Sequence, residues 1–207
     1  MLGHLPPLPA RVLEVGCGEG ELARAIDAAG YDVVAIDPAA PEESIFRRIK
    51  LEDVDDDERF DAVVASRSFH HMSSLDDNLA RVAKLLGDGG PLVLDEFGWD
   101  AIDETTAEWY DAQRRVLLAA GRHPSGPSAE EWREHHETFG VHGRDALIDA
   151  LDRRFRRVAF EEVPYLWRYL GGPSSLDLEE SLVAAGAIRA LGFRFVGIPR
   201  PAATLVT

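Results

Sequence analysis

The sequence predicts an α/β fold with a doubly wound parallel sheet, and three observations support this prediction. Apolar stretches of strand length alternate with segments of helical period between residues 11 and 97. The first apolar stretch leads into glycines at alternate positions and then into a helix with Leu22, Ala23 and Ile26 on one face. The length of 207 residues, 45% of them hydrophobic, suits one domain with a single large core.

The first half of the chain supplies the alternating strands and helices. Pro38 and Pro41 oppose a helix after the second strand, so this crossover is predicted to be short and irregular. The run Gly87-Asp88-Gly89-Gly90 is predicted to end the second helix. We predict strands at residues 11–16, 31–36, 47–51, 60–66 and 91–97, and helices at 20–29 and 75–86.

The regular alternation ends after residue 97. Ser128 and Glu131 stand three residues apart, as in a capping box, and predict a short helix. Residues 98–142 are explained least by a regular sheet, so we predict that they form a helical cap for the substrate within a single domain of residues 1–207. We also predict helices at residues 104–120, 144–154 and 178–190, the last ended by Gly192, and strands at 157–163 and 193–198.

Composition and charge favour a cytoplasmic protein that binds a small molecule. The net charge is −15, from 37 acidic and 22 basic residues, whereas nucleic-acid binding depends on Lys and Arg that neutralise phosphates. Cys17 is the single cysteine, which excludes an internal disulfide. The chain has no apolar run of membrane-spanning length and no signal-peptide pattern, so we expect no membrane partner. The sequence is compatible with two oligomeric states, a monomer and a homodimer.

The glycine loop after the first strand limits the kind of nucleotide that it can bind. A P-loop requires a Gly-Lys-Ser/Thr ending, and no lysine stands at that place. A dinucleotide loop requires Gly-x-Gly-x-x-Gly, but Glu21 takes the place of the third glycine and its carboxylate would face a pyrophosphate. The acid Glu14 before the loop, together with the spacing of the glycines, suits a cofactor that has a cationic end and no phosphate.

Acidic residues after the second and third strands agree with this interpretation. Asp37 ends the second strand, where a carboxylate can bind both hydroxyls of a ribose. Asp53 precedes Val54 after the third strand, near the expected position of an adenine ring.

Several motifs occur in order and at the right intervals, so the chain resembles the class I S-adenosylmethionine-dependent methyltransferases. This resemblance implies a mostly parallel seven-stranded sheet of order 3-2-1-4-5-7-6, with the last strand antiparallel and the cofactor over the carboxyl ends of strands one, two and four. The motifs are Val12 to Gly20, Val34 to Asp37, Phe60 to Ser66, Phe69 to His71, Leu85 to Leu94 and Gly192 to Gly197.

The resemblance also implies roles for residues that bind S-adenosylmethionine. Gly16 and Gly18 would contact its methionine part through the backbone, and Glu14 would anchor the loop from beneath. Asp37 would bind the ribose, and Ser66 would lie near the methionine amino group. The adenine would be flanked by Asp53 and Val54, and the remaining predicted cofactor-binding positions are Cys17, Gly20 and Pro38.

Residues for the chemical step and for the acceptor are predicted from their places at strand ends and in the cap. The candidate catalytic residues are His70 and His71, which follow strand four, and Glu96, which ends strand five. The metal ligands of a metal-dependent O-methyltransferase are absent where Ser66, Arg67 and Ser68 stand, so we predict no metal. Candidate acceptor-binding residues are Trp99, Tyr110, Trp132 and His136.

The predicted function is methyl transfer from S-adenosylmethionine to a small-molecule acceptor by in-line displacement. Only about ten residues precede the first strand, so either the cap comes from residues 98–142 alone or the chain begins inside a longer natural protein. One alternative is a non-catalytic partner subunit that binds S-adenosylmethionine. A second alternative is an NAD(P)-dependent oxidoreductase.

Overall fold

A computed structural model describes residues 1–86 and 89–201 and confirms the predicted fold class. The strands are β1 Arg11–Val15, β2 Asp32–Ile36, β3 Phe46–Arg47, β4 Ala62–Ser66, β5 Leu92–Phe97, β6 Phe155–Val163 and β7 Gly192–Pro199. They form one sheet in the order β3-β2-β1-β4-β5-β7-β6, and the last strand is antiparallel.

The helices lie between the strands, and all of them except the short α6 (Trp167–Leu170) correspond to predicted helices. They are α1 Glu21–Ala28, α2 Leu75–Leu85, α3 Glu104–Ala119, α4 Ala129–Thr138, α5 Arg144–Arg154, α6 Trp167–Leu170 and α7 Pro173–Ala184. Short 3₁₀ turns occupy Leu2–His4, Leu51–Asp53, Phe69–His71 and Trp99–Ala101. Helix α2 ends at Leu85, and the first two residues of its predicted stop, Gly87 and Asp88, lie outside the described residues.

Strand β1 is central in its part of the sheet, because it pairs in parallel with both β2 and β4. Its last four residues are buried, as expected for a strand that is covered on both faces. Val15 pairs with Ile36 of β2 and with Ala65 of β4, and the next residue of β4 pairs with Asp95 of β5. The carboxyl ends of these four strands therefore meet at one edge of the sheet, which is where parallel sheets bind their ligands.

Strand β3 is shorter and earlier than predicted. It consists of Phe46 and Arg47, and the predicted continuation to Leu51 is wrong because a 3₁₀ turn begins there. The Phe46 side chain is buried, and directly after the strand the Ile49 N–H donates to the Arg47 carbonyl at 2.9 Å. The chain therefore turns before the alternating residues Arg48 to Leu51 can extend the strand.

The last predicted helix is displaced toward the N-terminus. Helix α7 begins at Pro173, which follows Gly172 and occupies a first-turn position that suits proline. It ends before Gly186, whose φ of +68° provides the left-handed conformation common after a helix C-terminus. Gly192 is the first residue of β7 instead of a helix stop, and the short helix α6 was not predicted.

The chain divides into two compact units. Among the described residues, the first comprises those of 1–96, 147–160 and 194–201, and the second comprises Phe97–Ala146 and Glu161–Phe193. The predicted cap, residues 98–142, falls within the second unit. No helix among the described residues is both long and apolar enough to cross a membrane.

The second unit contains a fully buried carboxylate, that of Glu179. It accepts hydrogen bonds from the backbone N–H groups of Tyr165, Leu166 and Trp167 at 2.8, 3.0 and 2.6 Å. These N–H groups precede or open α6, so Glu179 of α7 provides partners that the short helix lacks within itself. Burial is the main influence on Glu179 and raises its pKa, and the three backbone donors oppose that shift.

We predict that Glu179→Ala lowers the free energy of unfolding by about 2–4 kcal/mol, because it leaves buried N–H groups without an acceptor. Urea unfolding followed by circular dichroism measures the change. Glu180→Ala is the matched control, since its side chain is exposed one position further along α7. Equal stability of the two variants would contradict the proposed bracing of α6.

Candidate functional site

In the glycine loop at the end of β1, the outer glycines pack against other side chains and the central glycine does not. Gly16 and Gly20 have φ of +74° and +80°, and a Cβ on either would lie 2.3 Å from Ser68 or from the Phe46 ring. Gly18 has φ of +49°, and nothing lies within 4 Å of the position of its Cβ. The outer two glycines are therefore required by packing, whereas the central one presents bare backbone.

Hydrogen bonds attach this loop to the end of β2. The N–H groups of Gly16 and Cys17 both donate to the Ile36 carbonyl, at 2.8 and 3.1 Å. The Gly18 N–H donates to Asp37 Oδ2 at 3.2 Å, and the Ala39 N–H donates to Oδ1 of the same carboxylate at 2.8 Å. Asp37 is thus fixed beside the open part of the loop while its side chain stays half-buried.

Glu14 lies beneath the loop as a buried acid on β1. Its carboxylate accepts a hydrogen bond from the backbone N–H of Ala23 in the first turn of α1, and its Oε2 has no hydrogen-bond partner. Burial, assisted by the negative charge of Asp37, raises the pKa of Glu14 to about 7 against the opposing effect of the Ala23 N–H. This hydrogen bond joins β1 to the start of α1, and the raised pKa shows that burial outweighs the favourable effect of the helix dipole on the charged form.

The electrostatics of the loop fit a cationic ligand better than a phosphate. Burial, together with the charges of Glu14 and Asp37, raises the pKa of the Cys17 thiol to about 12. Cys17 is buried, so its thiol is a protonated packing group. A pyrophosphate would be repelled by the Asp37 carboxylate and by the ionised fraction of Glu14, whereas the ammonium and sulfonium groups of S-adenosylmethionine would be attracted. The open backbone at Gly18 provides the close approach that this cofactor requires.

The predicted adenine-side residues lie at the turn after β3. Asp53 Oδ2 accepts a hydrogen bond from the Lys50 N–H at 3.3 Å and thereby caps that turn. Val54 is buried, and its carbonyl accepts a hydrogen bond from the Arg81 guanidinium of α2. Pro38 is exposed directly after Asp37.

The segment after β4 holds the loop from the opposite side. Ser66 is half-buried at the strand end. Arg67 adopts φ of +55°, which is unusual for a residue with a side chain, and its N–H donates to the Asp95 carbonyl at 2.8 Å. This turn places Ser68 so that its hydroxyl donates to the Val15 carbonyl at 2.9 Å. Ser68 was not predicted as a site residue, because nothing local in the sequence shows that it contacts Gly16.

Glu96 and His70 form a buried pair beside this segment. Glu96 is fully buried, and its Oε1 accepts hydrogen bonds from the N–H groups of Phe69 and His70 at 2.7 and 3.4 Å. Its Oε2 lies 2.7 Å from His70 Nδ1. His71 is exposed, and its ring centroid is 4.1 Å from that of His70. Two of the three predicted catalytic residues are therefore joined by a direct contact.

The predicted acceptor-binding residues all belong to the second unit, where most are parts of its apolar core. Tyr110 and Trp132 are almost completely buried, and the Tyr110 hydroxyl donates to the Pro127 carbonyl at 2.9 Å. His136 is also buried, and its Nδ1 donates to the Trp132 carbonyl at 2.6 Å. Trp99 is half-buried and stacks on the His136 ring with centroids 5.9 Å apart.

Among the described residues, no group of three or more His, Cys, Asp or Glu side chains is arranged to hold a metal ion. The acidic site residues instead accept backbone N–H groups, as Glu14, Asp37 and Glu96 do.

Comparisons with known proteins identify relatives of this chain. The sequence model of a family described as "Methyltransferase domain" matches residues 2–142. A ubiquinone biosynthesis O-methyltransferase of Rhodopseudomonas palustris is 30% identical over 97 residues, which is 41% of this chain and 38% of that relative's length. A tRNA U34 carboxymethyltransferase of Pseudoalteromonas translucida is 28% identical over 181 residues, covering 78% of this chain and 55% of that protein.

Solved structures agree in fold across almost the whole chain. A S-adenosylmethionine-dependent methyltransferase from Mesorhizobium loti has a TM-score of 0.60 at 17% identity, covering 96% of this chain and 95% of that one. A Haloferax volcanii putative methyltransferase, in complex with the activator Trm112, has a TM-score of 0.58 at 16% identity, covering 95% of this chain and 86% of the other.

The buried carboxylate of Glu14 predicts a pH-dependent stability. Because its folded-state pKa is raised from 4.5 to about 7, the folded protein binds more protons than the unfolded chain between these values. Stability is therefore lost as the pH rises through this range. We predict that Glu14→Gln gains up to about 3 kcal/mol relative to the wild type between about pH 5 and about pH 8.

Urea unfolding of both proteins at the two pH values measures this difference. Glu19→Gln is the matched control, because Glu19 is an exposed acid in the same loop. A difference between Glu14→Gln and the wild type that stays constant with pH would contradict the assignment.

Proposed function

Because this chain belongs to the methyltransferase-domain family, we propose that it transfers the methyl group of S-adenosylmethionine to a small-molecule acceptor. Family membership sets aside the oxidoreductase alternative and makes S-adenosylmethionine the cofactor. The non-catalytic partner subunit stays as the alternative that an activity assay decides.

The observation that carries the proposal is the acidic glycine loop with its open centre. Gly18 leaves bare backbone for a ligand, and the Asp37 carboxylate is held next to it by the N–H groups of Gly18 and Ala39. A carboxylate oxygen can accept more than one hydrogen bond, so Asp37 can still receive the ribose hydroxyls.

We assign the other cofactor contacts from their places around this loop. Gly16 and Gly18 would bind the methionine part through the backbone, and Ser66 would lie near its amino group. Asp53 and Val54 would flank the adenine. The remaining predicted positions would support the loop and not contact the cofactor through a side chain. Glu14 and Cys17 are buried, Gly20 packs against the Phe46 ring, and Pro38 directly follows Asp37.

The bound sulfonium supplies an activated methyl group, so the protein needs mainly to align the acceptor and exclude water. Alignment of this kind can contribute about 7–11 kcal/mol to lowering the barrier. For acceptor recognition we propose the second unit, with the half-buried Trp99 as the first residue to test, because Tyr110, Trp132 and His136 are buried.

The charge of the protein supports a small acceptor. A net charge of −15 opposes the counterion release on which nucleic-acid affinity depends. Transfer to RNA is the second candidate, favoured by the likeness to the tRNA U34 carboxymethyltransferase over 78% of this chain.

A radiolabel assay tests the proposal and separates these candidates. The protein is incubated with methyl-labelled S-adenosylmethionine and either a panel of phenols, amines and thiols or bulk tRNA. We expect label in the small molecules. Label in tRNA alone would establish the second candidate, and no label in any acceptor would leave the partner-subunit alternative.

We predict that Asp37→Asn weakens the affinity for S-adenosylhomocysteine at least about tenfold, because it removes a charged hydrogen-bond acceptor from the ribose site. Equilibrium dialysis measures the affinity. Asp27→Asn, on the exposed surface of α1, is the control and should bind like the wild type. Unchanged affinity of Asp37→Asn would contradict the ribose assignment.

A pair of glycine variants separates backbone strain from loss of the ligand. Gly18→Ala and Gly121→Ala each place a side chain at positive φ with open space around the Cβ, so each should lose about 1–2 kcal/mol of stability. We predict that only Gly18→Ala weakens S-adenosylhomocysteine binding, by about tenfold or more, since its methyl group occupies the ligand's approach. The same loss of affinity in both variants would assign the effect to strain.

A further inference from the structure

The environment of Glu96 makes it a positioning residue instead of a base. A buried carboxylate requires hydrogen-bond donors, and Glu96 has three within its own unit. These are the N–H groups of Phe69 and His70 and the Nδ1 of His70. The carboxylate therefore holds both the backbone of the 3₁₀ turn Phe69–His71 and the imidazole that the turn carries.

The contact with Glu96 also determines which imidazole nitrogen can take up a proton. A carboxylate facing Nδ1 favours the tautomer in which Nδ1 carries the hydrogen, so the lone pair of the neutral ring is on Nε2. The same carboxylate stabilises the imidazolium that forms when Nε2 accepts a proton. The pair has the arrangement that proteins use to make histidine a general base.

The pair lies at the edge of the sheet where the cofactor loop lies. Ser68, directly before the turn, bonds the Val15 carbonyl and packs where a Gly16 Cβ would be. The imidazole of His70 follows two residues later, and Glu96 is the penultimate residue of the neighbouring strand β5. The exposed His71 ring contacts the His70 ring, with centroids 4.1 Å apart.

From this geometry we propose that His70, positioned by Glu96, removes a proton from the methyl acceptor, and that the acceptor group is an acidic hydroxyl of the phenol or enol type. This inference rests on the proposed methyltransferase function. A neutral amine attacks a sulfonium without such a base. A thiol, with a pKa of about 8.5, ionises readily and depends on a base less, and an alkanol is too weak an acid for imidazole. A phenol, with a pKa of about 10, is matched to it.

The step balances without any further reactant. The acceptor O–H bond breaks and its proton binds His70 Nε2, while an oxygen electron pair forms the new O–CH₃ bond. The C–S bond of the sulfonium breaks, and its electrons return to sulfur as a neutral thioether. The proton then leaves the imidazolium to water.

The test compares phenols that are protonated at neutral pH with a nitrophenol that is already ionised. For His70→Asn we expect about a 100-fold or greater loss of methyl transfer to protonated phenols and little loss with the ionised one. The loss should shrink as the pH rises and ionises the phenol. Glu96→Gln should act in the same direction, because its amide N–H₂ would face Nδ1 and shift the ring proton to Nε2.

Controls separate this role from a structural one. His123→Asn removes an exposed histidine and should behave as the wild type. Affinity for S-adenosylhomocysteine and circular dichroism verify that each variant is folded. If His70→Asn does not fold, Glu96→Gln serves as the second variant for the same comparison.

Equal losses with protonated and ionised phenols, or methylation of amines or thiols alone by the wild type, would overturn this inference and leave the proposed function standing. A folded protein that binds S-adenosylhomocysteine and methylates none of the acceptors would instead refute the proposed function, and this inference with it.

Discussion

The close contact of the glycine loop with its neighbours is the constraint on which the rest of the site depends. The Ile36 carbonyl receives two N–H groups from the loop, and Ser68 and Phe46 occupy the places of the missing side chains at Gly16 and Gly20. The carboxyl ends of β1, β2 and β4, which are distant from one another in the sequence, therefore contact the same loop. The Asp37 carboxylate and the turn after β4 take their positions from that contact.

Buried glutamates form a second theme, because each one completes the hydrogen bonding of a turn or helix start. Glu14 accepts from Ala23 at the start of α1, Glu96 accepts from the turn after β4, and Glu179 accepts from the start of α6. Each acid is at most 2% exposed. The hydrogen bonds from the backbone offset the desolvation free energy of each buried acid only while the donors stay in place. These residues therefore couple local loop geometry to the free energy of unfolding.

Structural features that are encoded by local pattern and spacing can be predicted from the sequence alone. Strands β1, β2, β4 and β5, the glycine loop and the places of Glu14 and Asp37 along the strands are predicted, because hydrophobic period and glycine placement specify them locally. Strand β3 is the exception, since only Arg47 of the predicted residues belongs to it. The strand order required the family resemblance, since no local pattern shows which strands become neighbours.

The remaining features depend on contacts between distant residues. Glu96 is 26 residues from the imidazole that it positions, and Ser68 is 53 residues from the carbonyl that it binds. The aromatic residues Tyr110 and Trp132 are core residues, which hydrophobicity alone does not distinguish from ligand contacts. Helix α7 begins at a Gly-Pro pair, which is also a common loop signal.

An acidic glycine loop favours a cofactor with a cationic methionine end over a dinucleotide that carries a pyrophosphate. Isothermal titration of the wild-type protein with S-adenosylhomocysteine and, separately, with NADH tests it most directly. We expect heat of binding with S-adenosylhomocysteine and none with NADH. Heat with NADH and none with S-adenosylhomocysteine would contradict it.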